Sequence, residues 1–146
     1  MSSRSEIALE KFSAGYNCAQ SVFYSFCEDL GLDKNTALRI ASGLGSGMGR
    51  SGEVCGAVSG GILVLGTKYG RGENDSPAAK ELTYTKTRAL MSRFSGVHGS
   101  YKCRDLLNGY DLTTEEGFRQ FKVQDLTNKV CKHCVRSMVE ILQEML

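Results

Sequence analysis

The sequence lacks any long apolar stretch. Its longest uninterrupted apolar run, Ile62 to Leu65, is far shorter than the roughly 20 residues that a membrane-spanning helix needs. The first residues, MSSRSEIALEKF, contain no apolar core of signal-peptide length. We therefore expect no membrane insertion and a cytoplasmic location.

The sequence also lacks a large excess of charge of either sign. The 18 basic and 16 acidic residues are interspersed along the chain and leave a net charge of only +2. Binding of nucleic acid usually requires a basic patch or stripe. The sequence therefore predicts no nucleic-acid partner.

Familiar catalytic patterns are missing as well. The glycine-rich segment has neither the lysine nor the serine or threonine of a P-loop, and we find no Ser/His/Asp grouping and no paired carboxylates. The only histidines are His98 and His133. Candidate chemistry must therefore be sought in another residue type.

Alternation of apolar and polar residues, which would indicate strands, never extends beyond three or four residues. Helical signals are frequent instead: Ser3, Asn17 and Asp33 precede apolar residues at helical spacing, and Ser76 precedes Pro77. The last helix is predicted to begin at a Thr113/Glu116 capping box and to run to the C-terminus. We predict one all-α domain over residues 1–146, an irregular bundle of six or seven helices.

One predicted helix is apolar on every side between Ala57 and Leu65. Such a helix belongs in the centre of a domain. The loop before it has glycine at five positions and allows left-handed backbone conformations. Cys55 lies where this central, glycine-rich helix begins, so unpaired N–H groups and the helix dipole should favour its thiolate.

The chain contains six cysteines, which in a reducing compartment indicate metal binding or redox chemistry before structural disulfides. Cys18, Cys55 and Cys103 are predicted near helix starts, and Cys131 lies on the inward stripe of the last helix. If these four converge, they suit an iron–sulfur cluster, a zinc ion or dithiol pairs. We interpret Cys27 as a core thiol.

Cys134 completes a CxxC with Cys131, but the motif is predicted within a helix and not after a strand, as in thioredoxin-like proteins. Both side chains lie on one helix face. Cys134 could therefore share a metal with Cys131, or it could simply pack in the core.

Four short motifs resemble one family over nearly the whole chain. They are NC18AQSV, C55GAVSG, C103RDL with GYD after it, and C131 ahead of the final VxxxVEIL. The pattern is similar to the C_GCAxxG_C_C family. The resemblance implies a small, largely helical, redox-active protein in which Cys18, Cys55, Cys103 and Cys131 are the characteristic cysteines.

The leading hypothesis is a cysteine-based redox protein in which these four thiols meet. They would bind an iron–sulfur cluster or a metal such as zinc, or act as dithiol pairs that exchange with a redox partner protein. In the dithiol version Cys55 is the predicted attacking thiol and Cys18 its resolving partner. The alternatives are a helical binding or assembly module with core cysteines and a domain with a structural zinc site.

Overall fold

The computed structural model describes residues 3–146, and within that range the chain forms helices and turns without any β-strand. Its single isolated β-bridge joins Val54 to Lys102. The helices are α1 (Arg4–Ser13), α2 (Cys18–Cys27), α3 (Lys34–Ala41), α4 (Gly56–Tyr69), α5 (Pro77–His98), α6 (Cys103–Leu106), α7 (Glu115–Val123) and α8 (Lys132–Met145).

Predicted caps set the starts of the early helices. Ser3 and Asn17 each form a capping box, in which the side chain of the cap accepts a hydrogen bond from a backbone N–H in the first turn. In return, the side chains of Glu6 and Gln20 accept a hydrogen bond from the backbone N–H of the cap residue. The Asp33 carboxylate accepts from the backbone N–H of Thr36 at the start of α3. These polar contacts pair N–H groups that would otherwise lack partners.

The central element is α4, whose residues Gly56 to Gly61 are all buried. It packs against α2, α5 and α8. A Cβ on Gly60 would lie 2.8 Å from the carbonyl oxygen of Ala19, so glycine is what lets α2 and α4 approach this closely. The predicted all-α bundle around an apolar, glycine-rich helix is confirmed.

The predicted last helix is wrong in its start and its continuity. Thr114, not Thr113, caps α7 by accepting from the N–H of Gly117, because the Thr113 hydroxyl donates to Asp111 instead. The helix ends at Val123, and Asp125 takes a left-handed φ of 53°. A π-helical turn, Thr127–Cys131, then leads into α8. Because α7 and α8 are separate, residues 3–146 contain eight helices where six or seven were predicted.

None of the helices described within residues 3–146 combines the length and the apolar character required to cross a membrane. The most apolar of them, α4, has only 14 residues.

The close approach of α2 and α4 gives a test of the packing. Gly60→Ala should lower the free energy of unfolding by about 1–3 kcal/mol, because its Cβ meets Ala19 backbone atoms that can move only with their helix. Gly66→Ala in the same helix has no atom within 4 Å of its Cβ and should be neutral or stabilising by up to about 1 kcal/mol. Urea denaturation of both variants measures the difference. Equal effects would contradict this packing.

Candidate functional site

Four of the six cysteines line one cavity of about 200 Å³. Cys18 is the first residue of α2, and Cys55 immediately precedes α4. Cys103 is the first residue of α6, and Cys131 ends the π-helical turn. The structure thus brings together four thiols that lie far apart in sequence, each of them free. Their roles as catalytic, metal-binding or cofactor-binding residues stay predictions.

The rest of the cavity wall is mostly apolar or small. None of its described lining residues is charged. The electrostatic interactions of a sulfur in this cavity are therefore only weakly screened. The non-cysteine residues are Phe12, Gly15, Tyr16, Asn17, Ser46, Gly56, Leu107, Phe121 and Thr127.

A short antiparallel contact holds two of the cysteines in place. The Cys55 N–H donates to the carbonyl of Tyr101, and the Cys103 N–H donates to the carbonyl of Glu53. These bonds flank the bridge between Val54 and Lys102. The chain segments before α4 and before α6 therefore position Cys55 and Cys103 as one unit.

The glycine-rich loop folds as a left-handed turn against this unit. Residues 46–50 all have positive φ, between 53° and 71°. Only glycine adopts this conformation without a steric penalty, and serine, methionine and arginine each cost about 1–2 kcal/mol there. Gly47 leaves no room for a side chain, since its Cβ would lie 2.7 Å from that of Cys103 and 2.6 Å from the Glu53 nitrogen.

Cys55 is the thiol that this environment activates. A hydrogen bond from Cys134 is the main cause that lowers its pKa, and the N–H groups of Ala57 and Val58 add to the effect against burial, which raises the pKa. The sulfur makes no ordinary capping hydrogen bond. The first turn of α4 nevertheless favours the thiolate, as the helix-start argument predicts.

Two other thiols of the cavity, Cys18 and Cys103, are held protonated. A hydrogen bond with Cys131, burial and neighbouring thiols raise the pKa of Cys18. Burial, followed by the charges of Cys55 and Cys131, raises the pKa of Cys103 to about 12. The start of a helix therefore goes with a lowered pKa at Cys55 but not at Cys18 or Cys103. Burial outweighs the dipole at both sites, and α6 is only one turn long.

The thiols influence one another's pKa two by two. Interaction with the Cys131 thiol is the main cause that raises the pKa of Cys18, and interaction with the Cys134 thiol is the main cause that lowers the pKa of Cys55. Cys134 does not line the cavity and is only 1% exposed. Sequence reasoning treated it as a possible packing residue and paired Cys55 with Cys18. The signal that could have found Cys134 is its CxxC spacing from Cys131 on the inward face.

The cysteines are suitable metal ligands by chemical type, but their arrangement does not form a metal site. Thiolates are suitable ligands for zinc and for iron–sulfur clusters. Within residues 3–146, however, no three His, Cys, Asp or Glu side chains form a group that could hold a metal ion. The cysteines as arranged here do not fit such a group.

Both histidines lie away from the cysteine cavity, in an open groove that also contains Asp105 and Lys129. His98 stacks on Phe94, with 4.6 Å between ring centroids. Burial and the neighbouring His133 lower the pKa of His98. Neither histidine lines the cavity as a proton donor for its thiols.

Comparison with known proteins agrees with the cysteine pattern. The family model described as "Putative redox-active protein (C_GCAxxG_C_C)" matches residues 16–145, a span that contains all four cavity cysteines. A protein of Archaeoglobus fulgidus named "Uncharacterized protein" is 29% identical over 120 residues, which cover 77% of this chain and 80% of that relative. No solved structure shows a significant match.

The left-handed turn can be tested with two glycines. Gly47→Ala combines a positive φ with the clash against Cys103 and Glu53, and we expect it to lower the free energy of unfolding by about 2–4 kcal/mol. Gly49→Ala has the same kind of φ but open space around its Cβ, so a loss of only about 1–2 kcal/mol is expected. Thermal and urea unfolding measure both. A larger loss for Gly49→Ala would show that the turn does not pack as described.

The thiol environments predict different pH dependences of alkylation by iodoacetamide. Because the pKa of Cys55 is lowered, its labelling should persist as the pH falls below about 8.5, where a free thiol loses reactivity. Cys103 should react only as the pH approaches 12. Peptide mass spectrometry measures each rate, and Cys27, fully buried in the core, serves as the unlabelled control. A midpoint for Cys55 at or above that of a free cysteine would refute the assigned environment.

Proposed function

Since the chain belongs to the C_GCAxxG_C_C family, described as redox-active, we propose that it performs thiol–disulfide chemistry at the four-cysteine cavity. One observation carries the proposal: four separate segments deliver Cys18, Cys55, Cys103 and Cys131 to a single small cavity. Among these, Cys55 has the environment of a nucleophile. The protein is then a two-electron oxidoreductase or electron carrier.

Cys55 attacks a disulfide that enters the cavity. The thiolate is the reactive form of cysteine, and the lowered pKa of Cys55 increases its thiolate fraction near neutral pH. Attack forms a mixed disulfide and releases one thiol of the substrate. The apolar wall strengthens the interaction of the sulfur charge with the N–H groups of α4, because water screens it poorly there.

Cys18 and Cys131 provide a second dithiol on the same cavity. Because both side chains line one small cavity, they are the candidates for a second disulfide. Its raised Cys18 pKa makes it a poor nucleophile in the reduced state. This pair is therefore suited to accept or hold a disulfide and not to start the exchange.

The cavity itself argues against a packing role for the cysteines. Protein interiors are normally filled to a density that leaves few voids larger than water. Thiols that served only to fill the core would close the space between α2, α4 and the π-helical turn. Instead, four of them surround an opening of about 200 Å³.

The proposal is tested by equilibrating anaerobically purified protein with buffers of oxidised and reduced dithiothreitol and counting thiols. Wild-type protein should lose thiols in pairs with a measurable midpoint potential. Cys55→Ser should abolish the reduction of a low-molecular-weight disulfide, and Cys27→Ser, which changes a core thiol outside the cavity, should leave it unchanged.

Two outcomes would contradict thiol–disulfide chemistry. Stoichiometric iron and sulfide in the anaerobic protein would indicate a cluster bound after rearrangement of the thiols. Six thiols that resist every oxidant in the folded protein would favour the binding module with core cysteines.

A further inference from the structure

Cys134 lies in the first turn of α8. It is 1% exposed and does not line the cavity, yet it is the main cause that lowers the pKa of Cys55. Cys55 does line the cavity. Cys55 therefore lies between the cavity and Cys134.

A second contact shows that this juxtaposition is built into the packing of α4 and α8. Further along both helices, a Cβ on Gly61 would lie 2.7 Å from the Met138 sulfur. Cys55 and Cys131, which directly precede the two helices, both line the cavity, so α4 and α8 start there and run side by side in the same direction. Cys134 is one turn of α8 before Met138 and therefore lies on the side of α8 that faces the start of α4. The glycine at position 61 keeps the pair of helices close.

This inference rests on the proposed function. We propose that Cys134 is the resolving thiol of Cys55, so that a small disulfide bound in the cavity is reduced while a Cys55–Cys134 disulfide forms. Cys55 attacks the substrate disulfide, and Cys134 then attacks Cys55 from the side away from the cavity. Neither Cys18 nor Cys131 is required for this step.

The step balances in atoms and electrons. The Cys55 thiolate attacks one sulfur of the substrate disulfide, whose S–S bond breaks as the mixed disulfide forms. The expelled thiolate takes the proton of Cys134, and the Cys134 thiolate then attacks the Cys55 sulfur and releases the second half of the substrate as a thiolate, which takes a proton from water. The substrate gains two electrons and two protons and becomes two thiols, and the two cysteines lose two electrons and become a disulfide.

The direction of attack favours Cys134 over the thiols of the cavity. Thiol–disulfide exchange places the attacking, central and leaving sulfur atoms nearly in line. In the mixed disulfide the leaving sulfur occupies the cavity, so the attacking sulfur must approach Cys55 from the side away from the cavity. Cys134 lies in the first turn of α8 and does not line the cavity, whereas Cys18 shares the cavity with the leaving group.

The hydrogen bond between the two thiols also orders the steps. In the reduced protein Cys134 donates to the Cys55 thiolate, and this bond is the main cause that raises the pKa of Cys134. Attack by Cys55 converts the thiolate into a neutral mixed disulfide. The strongest contribution that keeps Cys134 protonated is thereby removed, so the resolving thiol is activated only after the first step.

The test uses the full chain and 2,2′-dithiodipyridine, a small aromatic disulfide with apolar rings, at substoichiometric amounts. In wild-type protein both halves of the reagent should be released as thiopyridone, and peptide mapping without reductant should find Cys55 linked to Cys134. Cys134→Ser should halve the thiopyridone released and leave a stable mixed disulfide on Cys55. Cys27→Ser, a buried thiol bonded only to the Tyr24 carbonyl, should behave as wild type.

The possible failures can be told apart. Release of both halves from Cys134→Ser, or a wild-type link between Cys55 and Cys18, would overturn the assignment of Cys134 while leaving thiol–disulfide chemistry intact. Absence of any reaction at Cys55 would overturn the proposed function together with this assignment. If Cys134→Ser does not fold by circular dichroism, the mapped linkage in wild-type protein decides the question by itself.

Discussion

The structure depends on the absence of side chains where α4 meets α2. A Cβ on Gly60 would enter the Ala19 backbone, and a Cβ on Gly56 would lie 3.2 Å from both the Ala19 nitrogen and the Cys18 Cβ. Because Gly56 directly follows Cys55, the packing that buries α4 also places Cys55 beside Cys18.

At the cavity, two physical effects oppose each other at each sulfur. The start of a helix stabilises a thiolate, and burial destabilises it. Cys55 benefits from two N–H groups of a 14-residue helix and from the Cys134 thiol, which together exceed the cost of burial. Cys103 begins a helix of only four residues and gains too little from it. The result is one activated thiol beside Cys18 and Cys103, whose pKa values are raised, an asymmetry that an exchange reaction needs.

Local sequence signals were sufficient for the helices and for the identity of the cavity cysteines. Asn17 and Ser3 cap helices as their sequence context predicts, and the all-round apolar character of residues 57–65 marks the central helix. The division between α7 and α8 could not be predicted in this way, because it depends on the left-handed Asp125 and a π-helical turn. Neither has a pattern of apolar residues that differs from a continuous helix.

Which thiol lies next to Cys131 and which lies next to Cys134 could not be predicted, for a different reason. Periodicity shows that Cys131 and Cys134 face inward, but which thiol each meets depends on the axial register of α8 against α2 and α4. That register is fixed by contacts such as Gly61 with Met138, which are invisible in a single sequence.

The CxxC spacing has a different structural consequence here from the one it has in thioredoxin-like folds. There, the two sulfurs of the motif lie at the start of a helix after a strand and react with each other. Here, the first sulfur ends a π-helical turn and the second lies in the helix that follows. The Cys131 thiol acts on the pKa of Cys18 at the cavity, and the Cys134 thiol acts on the pKa of Cys55. One turn of helix thus gives each sulfur a separate partner on a different helix, which places two dithiol contacts next to each other around a single cavity.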